Sequence, residues 1–335
     1  MPTPQISFVV PVHNAGGYLP ASLASLRWQT HTDWEAVCVD DGSTDGSTDV
    51  IERFAHADRR FRLIRQSQAG LVSALNTGLR HARGPWIARM DGDDIALPDR
   101  LEKQLAFVRQ NPRCVGLGGA VKLVDPDGRP IGEGVYPTDH RTIEQNLLDA
   151  RGETIAHPTL LARRDAIESA GRYRHEYETV QDADLLLRLS LLGELANLSD
   201  EVLLYRQHPK NYCRVHYATI QEEMRRLIEQ AHSERGTSPS DKVLSRLQRP
   251  ARQTSLVGKW ARKAARNGYL STAFKLTADL VRDAPLSPHT GRVVAEVGIR
   301  SAVAIGWGRF GKPTSTPDWR RWDCPEQRAV TSGAA

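Results

Sequence analysis

Along the first hundred residues, short blocks of β-branched and apolar residues alternate with stretches in which apolar positions recur every three or four residues. The blocks 6–12, 34–40, 61–65 and 86–90 have the length and composition of strands. Between them, 18–28 carries Leu19, Leu23 and Leu26, 49–57 keeps the helical period, and 70–82 carries Leu71, Leu75 and Leu79 at four-residue spacing. Each is the pattern of a helix with one buried face. The alternation predicts an α/β fold in which a mostly parallel central sheet is flanked by helices. Further on, the pattern predicts a helix from Pro98 to about Gln110 and a strand over 114–124 that ends in the hairpin tip Asp125-Pro126-Asp127-Gly128. A helix over 138–150, an extended piece at 159–162, a helix over 182–192 and a last strand over 201–206 follow. Beyond Cys213 the pattern is helical, with a break at Gly236-Thr237-Ser238-Pro239-Ser240. The expected organisation is a domain over 1–212, a helical extension over 213–312 and a mobile tail, rich in Pro, Thr and Ser, over 313–335.

Charge divides the chain at the same place. Residues 213–335 hold 21 basic and 11 acidic side chains, a net of +10, whereas residues 1–212 hold 24 basic and 29 acidic, a net of −5. The two parts therefore face different partners. Four cysteines are widely separated, without a CxxC pair, so neither a disulfide framework nor a zinc site is expected and a reducing compartment fits. The start lacks the basic and long apolar regions of a signal peptide, and no stretch offers about 18 uninterrupted apolar residues for a membrane span.

Function is expected at one edge of the sheet, because in such folds ligands sit beyond the carboxyl ends of the strands. The first strand runs into Pro11-Val12-His13-Asn14-Ala15-Gly16-Gly17, the second into Asp40-Asp41-Gly42-Ser43-Thr44-Asp45, and the fourth into Asp91-Gly92-Asp93-Asp94. Three carboxylates within four residues repel one another unless a cation or solvent screens them. Hard oxygen ligands suit Mn²⁺ or Mg²⁺ carrying a diphosphate, while the plain alternative is a solvated turn that caps the next helix. Asp40 and Asp41 can accept hydrogen bonds from a base or a ribose, or cap the following helix; Asp40 is the favoured ligand contact and Asp41 the turn residue. Ser67 and Asn76 flank the start of the 70–82 helix, whose amides could face phosphate or ribose; for Asn76 a structural hydrogen bond is the alternative.

The blocks Pro11-Val12-His13-Asn14, Val39-Asp40-Asp41-Gly42-Ser43-Thr44-Asp45 and Asp91-Gly92-Asp93-Asp94-Ile95 with Pro98-Asp99-Arg100-Leu101, in this order and spacing, resemble the family-two glycosyltransferases with a GT-A fold. The likeness covers roughly residues 6–210. It implies a nucleotide-diphospho-sugar transferase that works by inversion, with a nucleoside-diphosphate sugar as donor, UDP favoured, and a glycan or lipid-linked acceptor. By the same resemblance, Pro11, Val12, Asn14 and Asp40 surround the base and ribose, Asp91 approaches the ribose and sugar, Asp93 binds the metal and Asp94 orients it. Gln181-Asp182-Ala183-Asp184 resembles the catalytic segment, where the commoner Glu-Asp pair appears as Gln-Asp. Asp182 falls on the position of the general base, Asp184 is the alternative, and helix capping is the structural reading of both. Tyr205-Arg206-Gln207-His208 resembles the segment near the diphosphate, so that Arg206 would neutralise phosphate oxygens and His208 would ligate the metal or bond the diphosphate. His157-Pro158 matches a segment near the acceptor.

Between Asp241 and Asp279 there is no acid, yet Lys242, Arg246, Arg249, Arg252, Lys259, Arg262, Lys263, Arg266 and Lys275 all occur, interleaved with Leu244, Leu247, Trp260, Tyr269 and Phe274. Residues 242–275 read as an interfacial helix on an anionic membrane surface, as a site for a polyanionic acceptor, or as a solvated helical face. No nucleic-acid reader motif accompanies the charge, so nucleic acid is not an expected partner. The expected location is the cytoplasm, at the inner face of the cell membrane if the lipid reading holds. Two other functions stay in view. A sugar-nucleotide nucleotidyltransferase would want a basic residue in the first loop, which His13-Asn14-Ala15-Gly16-Gly17 lacks, and a non-catalytic nucleotide-sugar or glycan-binding module would bind without turnover.

Overall fold

The computed structural model describes residues 3–152, 154–208, 217–248, 256–283 and 287–306. The tail 313–335, expected to be mobile, and the boundary at Cys213 lie outside the described residues.

A nine-stranded sheet forms the centre. β1 (Ile6–Val12), β2 (Trp34–Asp41), β3 (Phe61–Gln66) and β4 (Trp86–Arg89) are parallel, in the order β3-β2-β1-β4. The expectation of parallel strands holds for this half, and the other half is mixed. β8 (Leu161–Arg163) runs antiparallel to both β4 and β6 (Cys114–Val124). β9 (Glu194–Arg206) runs parallel to β6, and its end pairs antiparallel with the two-residue β5 (Ile95–Ala96). β7 (Pro130–Gly134) folds back on β6 through the anticipated turn, where Gly128 takes φ +81. Because β8 reverses direction once relative to β4 and once relative to β6, strands β6 and β9 point the same way as β1 to β4. The ends of β1, β2, β4 and β9 therefore open on one edge, which is how residues far apart in sequence reach a common site.

Pro11 marks where the sheet splays. It has the same parity along the strand as Val9, whose carbonyl accepts from Met90 N, and β4 pairs with β1 only as far as Val9. The missing N–H of Pro11 thus faces the gap that β4 leaves, and no ladder bond is lost. From that gap the chain enters the Asp91 turn.

Two layers of helices cover the sheet. On one side α1 (Leu19–Arg27), α2 (Ser47–Ala57) and α4 (Arg100–Gln110) pack Leu19, Leu23, Ile51 and Leu101 against Phe8, Val10 and Val12 of β1. On the other, α3 (Leu71–His81), α5 (His140–Leu148), α6 (Arg164–Ser169) and α7 (Gln181–Leu189) pack Leu75, Leu79, Ile143, Ile167 and Leu185 around Val9 and Ile87. Leu75 is completely buried, so Leu75→Ala would cost roughly 2–5 kcal/mol.

The C-terminal helices join both layers. α8 (Tyr217–Glu234) and α9 (Asp241–Leu247) contribute Leu227, Ile228, Ala231, Val243 and Leu247 to the α7 side. α10 (Leu256–Arg266), α11 (Leu270–Asp283) and α12 (Pro288–Gly306) contribute Trp260, Ala264, Tyr269, Leu276 and Val293 to the other. Leu247, Trp260 and Tyr269, counted among the apolar residues of the interfacial reading of 242–275, are in the core, and Tyr269 donates to Glu133 of β7 at 3.3 Å. Strong amphipathicity here serves protein packing, while Lys259, Lys263 and Arg266 stay on the exposed side. Among the described residues no helix is long and apolar enough to cross a membrane.

Two boundaries differ most from the expectation. β9 begins at Glu194 rather than 201, since Ser199-Asp200 form an irregularity in its pairing with β6 and break the alternation. The helix expected over 182–192 ends at Leu189 and leaves Leu191 and Leu192 exposed.

Candidate active site

The first two loops are laced together. Asn14, at φ +50, receives Thr44 N on its Oδ1 at 2.8 Å, and its own N–H donates to Ser43 Oγ at 3.0 Å. Gly16 N donates to Asp45 Oδ2 at 2.8 Å. Pro11 and Val12 are buried at the end of β1, so they shape the floor of this edge through backbone. Asp40 accepts from Ser43 N at 3.0 Å and from the Thr48 hydroxyl. Burial works to raise its pKa, but these bonds outweigh it and hold the carboxyl below its ordinary value. Asp41 accepts from Gln66, Ala69 N and Gly70 N at 2.7, 2.8 and 2.9 Å, and so pins the loop that opens α3. Asp40 thus holds its own turn, a part the sequence reading gave to Asp41, and Asp41 holds the next loop.

β4 ends in the acidic turn. Carboxylate oxygens of Asp91, Asp93 and Asp94 lie within 4.8 Å of one another. Asp94 is fully buried; its Oδ1 accepts from Arg206 N at 2.8 Å, while its Oδ2 has no hydrogen-bond partner among the described residues. Burial, then the charges of Asp93 and Asp91, push its pKa well above the ordinary carboxylate value. Asp91 keeps 28% of its side-chain exposure and pairs with Arg89; burial still wins over that cation, and its pKa is raised. His208 Nε2 meets Asp93 Oδ2 at 2.7 Å. An orphaned buried oxygen, three clustered carboxylates and an adjacent imidazole fit a divalent cation of the Mg²⁺ or Mn²⁺ kind.

Arg206 is buried behind this turn and donates Nε to Asp93 O and Nη1 to Pro126 O, each at 2.8 Å. Its guanidinium also lies 4.8 Å from the Tyr18 ring centroid. These bonds fasten the acidic turn to the β6–β7 tip.

Asp182 opens α7, where it accepts from Ala183 N at 2.8 Å. Burial raises its pKa despite that bond and the nearby Arg89 charge. It stands close enough to Asp91 for its charge to raise the Asp91 pKa as well. Asp184, the alternative base, is fully buried and paired with both Arg174 and Arg188. Gln181 Oε1 is buried without a hydrogen-bond partner among the described residues. His157 Nε2 and the Tyr173 hydroxyl share a hydrogen bond of 2.8 Å, and burial followed by the Arg89 charge holds the imidazole pKa well below its ordinary value. Asn76 takes up the Tyr173 backbone on both sides, donating to its carbonyl at 2.9 Å and accepting from its N–H at 3.2 Å, so its amide holds the approach to α7. Ser67 is exposed on the loop before α3.

Sequence reasoning missed Arg89, which is buried and exerts its charge on Asp91, Asp94, Asp182, His157 and Tyr173. A basic residue closing the apolar run Trp86-Ile87-Ala88 was the available signal. Arg100, whose Nη2 donates to Arg89 O at 2.9 Å, lies behind it, its pKa lowered by burial to about 9.

Comparison with known proteins agrees with this geometry. Residues 7–171 match the model of Glycosyl transferase family 2. The chain is 32% identical over 213 residues to the O-antigen biosynthesis glycosyltransferase WbnJ of Escherichia coli, covering 62% of this chain and 81% of WbnJ. It is 32% identical over 189 residues to the putative glycosyltransferase EpsE of Bacillus subtilis, covering 55% of this chain and 66% of EpsE, so the chain spans somewhat under two thirds of that relative's length. Among solved structures, S. aureus TarS 1–349 in complex with UDP-GlcNAc superposes with a TM-score of 0.58 at 17% identity, over 91% of this chain and 92% of that one. The mannosyltransferase PcManGT from Pyrobaculum calidifontis, in complex with GDP-Man and Mn²⁺, gives 0.52 at 18% identity, over 92% and 88%. The fold is therefore GT-A, and the chain belongs to glycosyl transferase family 2.

Proposed function

We propose that this protein transfers a sugar, with inversion, from a nucleoside-diphosphate sugar to a hydroxyl of a glycan or lipid-linked acceptor in cell-surface polysaccharide synthesis. The observation that carries the reading is the juxtaposition of Asp182, at the head of α7, with the Asp91–Asp94 turn at the end of β4. An inverting displacement needs a base on the face opposite the leaving group, and a carboxylate set apart from the diphosphate site meets that need. WbnJ, by its name, acts in O-antigen biosynthesis, and TarS and PcManGT were solved with UDP-GlcNAc and GDP-Man; these support a nucleotide-sugar donor and a polysaccharide product.

In this reading the laced loops around Asn14 and Asp40 receive base and ribose on an edge that is already rigid. Asp93 and His208, with the free oxygen of Asp94, hold the divalent cation, and Asp91 receives the sugar. A cation bound there offsets the charge that develops on the departing diphosphate. Arg206 keeps the turn fixed rather than meeting phosphate, and Asn76 acts on Tyr173 rather than on ribose. Asp182 takes the proton of the acceptor hydroxyl. Residues 1–212 form the catalytic domain and the helices beyond it an extension, whose exposed Lys259, Lys263 and Arg266 meet an anionic cytoplasmic membrane surface by charge alone.

The test is a screen of nucleotide-sugars by thermal shift, with and without Mn²⁺, followed by NMR of the transfer product. True donors stabilise the folded protein, and the product's anomeric configuration is opposite to the donor's. Retained configuration overturns inversion, and wild-type turnover in Asp182→Asn overturns the base.

A further inference from the structure

The strap that leads into α7 is held by a residue outside the segment that the family model matches. Glu223, on α8, is 7% exposed. Its Oε2 accepts from Thr179 N at 2.7 Å and from Thr179 Oγ1 at 2.9 Å. Thr179 lies three residues before Asp182, in the strap between a short 3-10 turn, His175–Tyr177, and α7. A carboxylate that takes two donors of one residue fixes that residue in both position and orientation.

The same strap has two more supports. Tyr177 Oη donates to Gln230 Oε1 of α8 at 2.5 Å, and the Arg226 guanidinium, also on α8, lies 5.9 Å from the Tyr177 ring centroid. On the other side, Gly70 at φ +90 approaches the Glu178 carboxylate so closely that a Cβ would overlap it. The strap is thus pressed between α8 and the start of α3, the helix whose opening loop is pinned by Asp41. The Asp182 carboxylate accepts from Ala183 N, in the first turn of α7, at 2.8 Å, so where it points depends on where α7 begins.

We infer that Glu223 is a positioning residue for Asp182: it sets the start of α7 through Thr179 and thereby aims the carboxylate at the acceptor hydroxyl. The inference rests on Asp182 as the base. It makes α8 part of the working catalytic unit rather than a spacer to the basic helices.

The experiment compares full-length Glu223→Ala, Glu223→Gln and Asp182→Asn. Backbone hydrogen exchange over 177–184 is read first, because it needs no substrate. Glu223→Ala should raise exchange there by at least about 10-fold, while Glu223→Gln, which keeps an acceptor oxygen, should restore protection. Steady-state release of UDP from UDP-N-acetylglucosamine, or of GDP from GDP-mannose, with Mn²⁺ then separates kcat from KM. In Glu223→Ala kcat should fall about 10- to 100-fold, with donor KM within about 3-fold of wild type, since donor contacts come from the β1, β2 and β4 loops. Glu223→Gln should recover most of kcat. Unchanged exchange over 177–184 in Glu223→Ala overturns the inference, as does loosened exchange with wild-type kcat while Asp182→Asn is inactive. Wild-type kcat in Asp182→Asn overturns the base assignment instead, and the exchange result still scores the strap.

Discussion

His208 Nε2 lies 2.7 Å from Asp93 Oδ2 across a sequence separation of 115 positions. The end of β9 brings it there, and its ring is tilted 31° against Tyr18 with 5.3 Å between centroids. In the proposed function this carboxylate and imidazole, with the unpartnered oxygen of Asp94, would hold the cation. Replacing His208 by Ala should weaken Mn²⁺ binding by roughly 10- to 100-fold, and Asp93→Ala by at least as much. Calorimetric titration of Mn²⁺ in the presence of UDP reads both. Wild-type affinity in His208→Ala would remove it from the site.

The acidic turn also has a signature in pH. The pKa of Asp94 is raised in the folded protein, by burial first and then by Asp93 and Asp91. Its folded form therefore binds a proton more tightly than its unfolded form. The stability this confers is complete below the unfolded pKa of 3.8 and is lost as pH rises through the higher folded value. In metal-free protein, Asp94→Asn should consequently melt higher than wild type near pH 8, and the gap should close towards pH 3. Mn²⁺ should reverse the order at pH 8, because it rewards the charged carboxylate. Thermal melts over that pH range, with chelator and with Mn²⁺, supply the comparison; identical curves for the two proteins in chelator would sink the argument.

How much of this was readable in advance follows from how local each feature is. The acidic turn and the hairpin tip are spelled by neighbouring residues, so Asp91 to Asp94 and Asp125 to Gly128 were legible. Asp40 and Asp41 were legible as a pair, but not their division of labour, because Asp41 is satisfied from Gln66, Ala69 and Gly70 in the next loop. Arg89, Tyr173 and Glu223 were not, because their significance lies in contacts that only the sheet order and the packing of α8 create: Asn76 meets Tyr173 across 97 positions and Glu223 meets Thr179 across 44. Amphipathicity left α10 open to several readings for a related reason. A stripe of Trp260, Ala261, Ala264 and Ala265 announces burial, not what buries it.

Arg206 was expected at the diphosphate; in the proposed function its bonds to Asp93 O and Pro126 O give it a structural part. Arg206→Ala should leave two part-buried carbonyls without this donor and destabilise the fold by roughly 2–5 kcal/mol. Arg206→Lys should recover little, because one ammonium cannot span both acceptors as the guanidinium fork does. Urea unfolding of the three proteins measures this. A variant of wild-type stability that has lost only donor affinity would return Arg206 to the phosphate.

The two aspartates of α7 separate cleanly. Asp184 is fully buried and satisfied by Arg174 and Arg188, which would be left facing each other without it. Asp184→Ala should therefore cost roughly 3–5 kcal/mol of stability, with activity lost in proportion to unfolding. Asp182→Asn removes one carboxylate charge from a site already crowded by Asp91, so stability should be kept or improved while kcat falls about 100- to 10,000-fold. Because burial raises the Asp182 pKa, the rate of the wild-type protein should fall with acid above the range of a free aspartate, as the base takes up its proton. The acid limb of kcat against pH, together with urea midpoints for both variants, decides the assignment: a stable, inactive Asp184→Asn beside an active Asp182→Asn would exchange their roles.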